Sequence, residues 1–101
     1  MKNTTVLIVE DESIVAADLA GKLGQLGYEV IGTAERGEEA IELACRLKPE
    51  VVLMDIRLKG AMDGIETAES ILEHHCAPVI YLTAHSDAAT LVRAKLSDPF
   101  G

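Results

Sequence analysis

The 101-residue chain is poor in aromatic and basic side chains and has no long apolar run. With no tryptophan, one phenylalanine and two tyrosines, its core has to be built from aliphatic side chains. Nine basic against 17 acidic side chains give a formal charge of −8, which argues against direct binding to nucleic acid or to anionic membranes. No run approaches the roughly 18 apolar residues of a membrane span, and the start does not resemble a signal peptide. A single cytoplasmic domain without membrane contact is expected.

Cysteine is scarce as well. Cys45 and Cys76 are the only two cysteines, and they do not form a CxxC pair. Their sequence neighbours are those of helices and helix ends. Because disulfides are rare in the cytoplasm, we expect two reduced, partly buried thiols.

Apolar, β-branched runs recur along the chain and predict four strands. The second run contains fewer apolar residues and more polar ones than the others, as is typical of an edge strand. The predicted strands are residues 5–9, 28–33, 51–54 and 79–83.

Between these runs the apolar spacing changes to that of helices. Gly27 is placed to end the first helix in a left-handed cap, and Asp63 to cap the start of the third. A fourth helix is predicted over residues 87–96. The alternation predicts an α/β fold with a doubly wound parallel sheet and helices on both faces. The predicted apolar faces of the first three helices are Val15, Leu19, Leu23 and Leu26; Ala40, Leu43, Ala44 and Leu47; and Ile65, Ala68, Leu72 and His75.

Polar side chains with metal-binding or hydroxyl chemistry follow three of the predicted strands. The run VVLMDIRLKG leads from four apolar residues into Asp55, residues 10–12 read Glu-Asp-Glu, and Thr83 ends the fourth run. If the first and third strands are neighbours, their acids meet in one cleft and repel each other unless a cation lies among them. Hard oxygen ligands favour Mg2+ over zinc.

Each of these residues also has a simpler interpretation. The acids at 10–12 can cap the first helix and interact with its dipole. Asp55 can form a turn, and the Thr83 hydroxyl can close a loop. The occurrence of all three at one edge of the predicted sheet favours a functional site.

The stretches VLIVEDE, VVLMDIRLKGAMDGIE and VIYLTAHSD closely resemble the receiver domain of two-component response regulators, over essentially the whole chain. The resemblance implies a flavodoxin-like sheet with strand order 2-1-3-4-5. It also implies a phosphoacceptor signalling domain, not an enzyme beyond slow self-dephosphorylation. The expected partner is a histidine kinase or a phosphotransfer protein.

The same resemblance assigns roles to individual residues. Asp55 is the expected phosphoacceptor. Glu10, Asp11 and Asp55, with the backbone carbonyl of Arg57, are the expected Mg2+ ligands. Thr83 is the expected switch hydroxyl, which hydrogen-bonds the phosphoryl group and changes the surface of the fourth helix.

The family pattern continues with a fifth strand that carries a phosphate-pairing lysine, and with a fifth helix. This chain ends at Gly101, where that strand would begin, so we expect residues 1–101 to be a C-terminally truncated receiver domain. Any output domain would lie C-terminal to it. The exposed fourth strand and fourth helix then predict self-association.

Two other functions remain open from the sequence. A receiver-fold module can act by binding alone, without phosphorylation. A phosphatase with an aspartate nucleophile would need a second aspartate two residues after Asp55, where this chain has Arg57.

Overall fold

A computed structural model describes residues 3–56, 58, 60 and 62–82. These residues form a four-stranded parallel sheet with three helices, in strict alternation along the chain. The strands are Thr5–Val9 (β1), Glu29–Ala34 (β2), Val51–Asp55 (β3) and Val79–Leu82 (β4), and the helices are Ser13–Gln25 (α1), Gly37–Leu47 (α2) and Gly64–Glu73 (α3). Within this part of the chain, no helix has the length and apolar character needed to cross a membrane.

The strand order β2-β1-β3-β4 confirms the predicted flavodoxin-like topology. The polar β2 lies at one edge, as expected. The predicted fourth helix, Thr83 and Arg57 lie outside the described residues.

The two faces of the sheet are covered differently. On one face α2 and α3 pack over a fully buried cluster that includes Leu7, Val9, Val52, Met54 and Ile71. On the other face α1 covers Val6 and Ile8, while Val51 and Leu53 are only partly buried and Ile80 is 46% exposed. The β1–β2 half of this second face is therefore better covered than the β3–β4 half.

Two of the predicted helix boundaries have clear local causes. Gly27 has a φ of +95°, which is the left-handed conformation predicted for the residue after α1. Asp63 accepts a hydrogen bond from the backbone N–H of Glu66 at 2.8 Å, and Glu66 Oε1 accepts one from the N–H of Asp63 at 3.1 Å. This reciprocal capping box confirms the predicted start of α3.

The predicted apolar faces were partly wrong at their ends. In α1 the face that packs on the sheet is Ala16, Leu19, Ala20 and Leu23, whereas Val15 is 42% and Leu26 is 74% exposed. Leu26 lies at the C-cap, beyond the last helical turn. In the third segment the position assigned to His75 lies after α3, with a φ of +55°, and Ile71 completes the buried face instead.

The prediction of two reduced thiols is wrong for this structure. Cys45 near the end of α2 and Cys76 in the connection from α3 to β4 form a disulfide, with their Cα atoms 4.7 Å apart. The two residues are 31 positions apart in sequence, and they meet because α2 and α3 pack side by side on the same face of the sheet. That packing is a tertiary property, which the local spacing of the cysteines does not indicate.

Candidate functional site

The carboxyl edge of the sheet brings three of the predicted site residues together. β1 and β3 are parallel neighbours in which Val9 pairs with Met54, so Glu10, directly after β1, lies beside Asp55, the last residue of β3. One carboxylate oxygen from each of Glu10, Asp11 and Asp55 lies within 4.8 Å of the other two. The expected convergence of acids therefore exists in the fold.

Glu10 is the most enclosed of these acids. It is 7% exposed, and Asp11 and Asp55 are half-buried. Its Oε1 accepts a hydrogen bond from the backbone N–H of Glu12 at 3.1 Å. Glu12 occupies the N-cap position of α1, but its side chain makes no capping hydrogen bond. The Glu12 side chain therefore does not cap α1.

Burial and neighbouring acids change the proton affinity of Glu10. Loss of hydration is the main cause, and the carboxyl groups of Asp55 and Asp11 act in the same direction, so the pKa of Glu10 rises from 4.5 to about 7. The hydrogen bond from the Glu12 N–H opposes this rise in pKa but does not cancel it. Near neutral pH, either a proton on Glu10 or a bound cation is therefore needed to offset the repulsion among the three carboxylates.

The donor set suits a small, hard divalent cation. Ligand atoms on opposite sides of a Mg2+ ion lie about 4.2 Å apart, because its bonds to oxygen are about 2.1 Å long. The carboxylate oxygens here span up to 4.8 Å, so a small rotation of one side chain, or one ligand acting through water, accommodates the ion. All three donors are carboxylate oxygens, which favours Mg2+ over softer metals.

Gly64 fixes the backbone on which Asp55 is mounted. Its N–H donates to the carbonyl of Ile56 at 2.9 Å, which docks the start of α3 against the end of β3. A Cβ at position 64 would overlap the Asp55 carbonyl oxygen and approach the Ile56 Cα to 2.7 Å. Sequence reasoning missed this residue, although its place directly after the Asp63 cap was a usable signal.

A second close approach holds the start of α2 near the same edge. A Cβ on Gly37 would overlap Thr67 Oγ1 and lie 3.0 Å from the Cβ of Met62. The Thr67 side chain is fully buried and its hydroxyl donates to the Asp63 carbonyl at 2.8 Å. The N-terminal ends of α2 and α3 are therefore in close contact.

Two other predicted site residues cannot be placed. Leu82 pairs with Asp55 across β3 and β4, and Thr83 is the next residue in sequence. Thr83 and Arg57 both lie outside the described residues. Their roles as switch hydroxyl and carbonyl ligand stay predictions.

Comparisons with known proteins bear on the family of the chain. The family profile described as response regulator receiver domain matches residues 6–98. The transcriptional regulatory protein PdtaR of Mycobacterium tuberculosis is 43% identical over 90 residues, which cover 89% of this chain and 43% of that protein. The phyllosphere-induced regulator PhyR of Methylorubrum extorquens is 36% identical over 85 residues, covering 83% of this chain and 32% of that protein. The chain thus spans less than half the length of these curated relatives.

A solved structure gives the same picture. The signal receiver domain of a modulated diguanylate cyclase from Desulfovibrio desulfuricans aligns with a TM-score of 0.85 and 44% identity. That alignment covers 99% of this chain and 79% of the other. This chain is therefore similar to that receiver domain in both fold and sequence.

Proposed function

Because the chain belongs to the response regulator receiver domain family, we propose that it accepts a phosphoryl group on Asp55 in the presence of Mg2+. The donor is a histidine kinase or a phosphotransfer protein of a two-component system. The observation that carries this proposal is the meeting of Glu10, Asp11 and Asp55 at the carboxyl edge of the sheet. We place the protein in the cytoplasm, where such donors act.

The chemistry follows from the position of Asp55. A carboxylate oxygen of Asp55 attacks the phosphorus of the donor, an O–P bond forms, and the bond from phosphorus to the donor nitrogen breaks. Glu10 and Asp11 would hold a Mg2+ ion, which would supply positive charge to neutralise the phosphoryl oxygens. The Gly64–Ile56 contact fixes the backbone that carries the nucleophile.

The response to phosphorylation is assigned to residues after β4. Thr83 is proposed as the hydroxyl that donates a hydrogen bond to the new phosphoryl oxygens, with residues 87–96 as the surface that changes. A phosphoryl group brings extra negative charge and strong acceptor oxygens, which gives this hydroxyl a better partner in one state than in the other. The domain acts as a switch and not as an enzyme with a diffusible substrate.

A second candidate is a receiver-fold module that works by binding without phosphorylation. The observation that favours it is that, within the part of the chain that the structure describes, the β3–β4 half of one sheet face is only partly covered and Ile80 is 46% exposed. Self-association is proposed through β4, which carries Ile80, and through the predicted fourth helix. Uptake of a phosphoryl group separates this candidate from the first.

The proposal is tested by intact mass after incubation with Mg2+ and a small phosphoryl donor such as acetyl phosphate. The unmodified chain is expected to gain one phosphoryl group, and Asp55→Asn none. Asp18→Asn is the matched control, because Asp18 is an exposed acid on α1 that pairs only with Lys22 in the described contacts, at 3.0 Å. Equal uptake by Asp55→Asn would reject the assignment. No uptake by the unmodified chain would favour the binding module.

A further inference from the structure

We propose that Cys45 and Cys76 form a reversible dithiol–disulfide couple that responds to the surrounding thiol–disulfide balance and controls the stability of the domain. The two residues are the only cysteines of the chain. Their Cα separation of 4.7 Å lies within the range that a disulfide bridges without backbone movement. No receiver chemistry proposed above uses either sulfur.

The pair is accessible enough to exchange. Both cysteines are half-buried, so a small thiol or disulfide can reach them from solvent. Of the two cysteines, Cys76 packs against the main buried cluster and Cys45 does not. Disulfide exchange requires attack by a thiolate on a reachable sulfur, which a fully buried pair would prevent.

The proposed location also argues for reversibility. A reducing cytoplasm keeps most cysteine pairs as thiols, and disulfides there are mostly transient or redox-sensing. In a cytoplasmic domain, we therefore interpret the Cys45–Cys76 disulfide as the oxidised form of a dithiol–disulfide couple.

The reaction balances with a low-molecular-weight disulfide, such as oxidised glutathione, as the oxidant. The thiolate of one cysteine attacks that disulfide, forms a mixed disulfide and releases one glutathione thiol. The other cysteine then attacks the mixed disulfide, which forms the Cys45–Cys76 bond and releases the second thiol. The two protons of the protein thiols end on the two glutathione molecules.

The bridge lies at the opposite end of the sheet from the acids. Cys76 precedes β4, and Cys45 precedes β3, so both sulfurs are near the edge where these parallel strands begin. Glu10, Asp11 and Asp55 are at the edge where the strands end. Oxidation is therefore expected to change stability while leaving the affinity of the acidic cluster for Mg2+ unchanged.

The size of the stability effect follows from the loop that the bridge closes. The two cysteines are 31 positions apart and the segment between them contains β3 and α3, so the unfolded chain loses much conformational freedom when it is cross-linked. A loop of this length corresponds to a change of roughly several hundredfold in the ratio of folded to unfolded chains. The oxidised form is the more stable one.

The experiment equilibrates the unmodified chain across a series of reduced-to-oxidised glutathione ratios, then traps free thiols with an alkylating reagent and measures intact mass. The expected result is one transition from two alkylated thiols to none, with the monomer mass retained. Two free thiols at every ratio would overturn the proposal. So would a disulfide-linked dimer, or a stable glutathione adduct on one cysteine.

Urea unfolding of the two end states measures the consequence. We expect the oxidised chain to show the higher midpoint, with the double variant Cys45→Ser and Cys76→Ser insensitive to the glutathione ratio. Equal midpoints for oxidised and reduced chains would contradict the stability claim. Mg2+ titration of both forms is expected to give equal affinities, and a difference above threefold would contradict the separation of the two ends. Failure of phosphoryl uptake would leave these thiol results unaffected.

Discussion

The two ends of the parallel sheet have opposite effects on the stability of the domain. Where the strands end, three carboxylates crowd within 4.8 Å of one another, and one of them is buried with a raised pKa. Where the strands begin, a disulfide ties the helix ends together over an apolar cluster. Like charges in a half-buried cleft destabilise the folded state, whereas a cross-link and aliphatic packing stabilise it. The acidic edge therefore depends on stability that the rest of the domain supplies.

The largest effect is expected where α3 docks against the reactive edge. Gly64→Ala places a Cβ against the Asp55 carbonyl and 2.7 Å from the Ile56 Cα, so the backbone has to shift. We expect the free energy of unfolding to fall by about 3 kcal/mol or more, as in overpacked sites. Urea unfolding measures this loss.

The control for that variant is a glycine with free space. Gly21 lies inside α1, and an added Cβ there meets nothing within 4 Å. Gly21→Ala is expected to raise the free energy of unfolding by about 0.5–1 kcal/mol, since alanine favours a helix over glycine. Similar losses for both variants would contradict the close approach at Gly64.

The next effect concerns the charge of the acidic edge. Because folding raises the pKa of Glu10 from 4.5 to about 7, the folded chain holds this proton more tightly than the unfolded chain. Its contribution to stability is complete below pH 4.5 and is lost as the pH rises through 7. The loss is at most about 3 kcal/mol. Urea unfolding without metal should show this decrease between pH 5 and pH 8.

Mg2+ and a neutral side chain sharpen that result. Mg2+ should stabilise the chain more at pH 8 than at pH 5.5, because it competes with the proton for the same carboxylates. Glu10→Gln should flatten the pH dependence, whereas Glu42→Gln, at an exposed position on α2, should not. An unchanged pH profile in Glu10→Gln would show that another group is responsible.

A smaller effect is expected at the start of α3. Asp63→Ala removes the 2.8 Å hydrogen bond to the Glu66 N–H and half of the capping box. The expected loss is about 1 kcal/mol in the free energy of unfolding. Asp18→Ala, which removes only an exposed ion pair, should cost no more than about 0.5 kcal/mol. A larger loss at Asp18 would reverse this ranking.

The smallest effect on stability is expected in the partly covered β3–β4 half of the second sheet face. Ile80 is an exposed apolar residue on β4, the edge strand of the described sheet. Ile80→Thr should reduce self-association at high concentration in sedimentation velocity, with little change in unfolding. Ile14→Thr, at an 83% exposed position on α1, is the control and should leave association unchanged. A monomer at all concentrations in the unmodified chain would contradict the predicted self-association.

Local patterns predicted most of the fold. Aliphatic runs identified all four strands, and Gly27 and Asp63 marked helix ends, because these signals depend on a few adjacent residues. The convergence of Glu10 with Asp55 was predictable as well, since parallel neighbours end at a common edge.

The remaining features depend on contacts between distant segments. The disulfide needs α2 beside α3, and the role of Gly64 needs α3 docked on β3. The packed face of α1 was displaced at its ends because spacing alone does not say where the last helical turn leaves the sheet. Neither kind of contact is encoded in a local repeat.

The most direct test of the central claim locates the phosphoryl group. The chain is treated with acetyl phosphate and Mg2+, any acyl phosphate is reduced with borohydride, and the peptides are mapped by mass spectrometry. We expect the aspartate converted to homoserine to be Asp55. Conversion at another acid, or phosphoryl transfer to His74 or His75 with Asp55 unchanged, would contradict it.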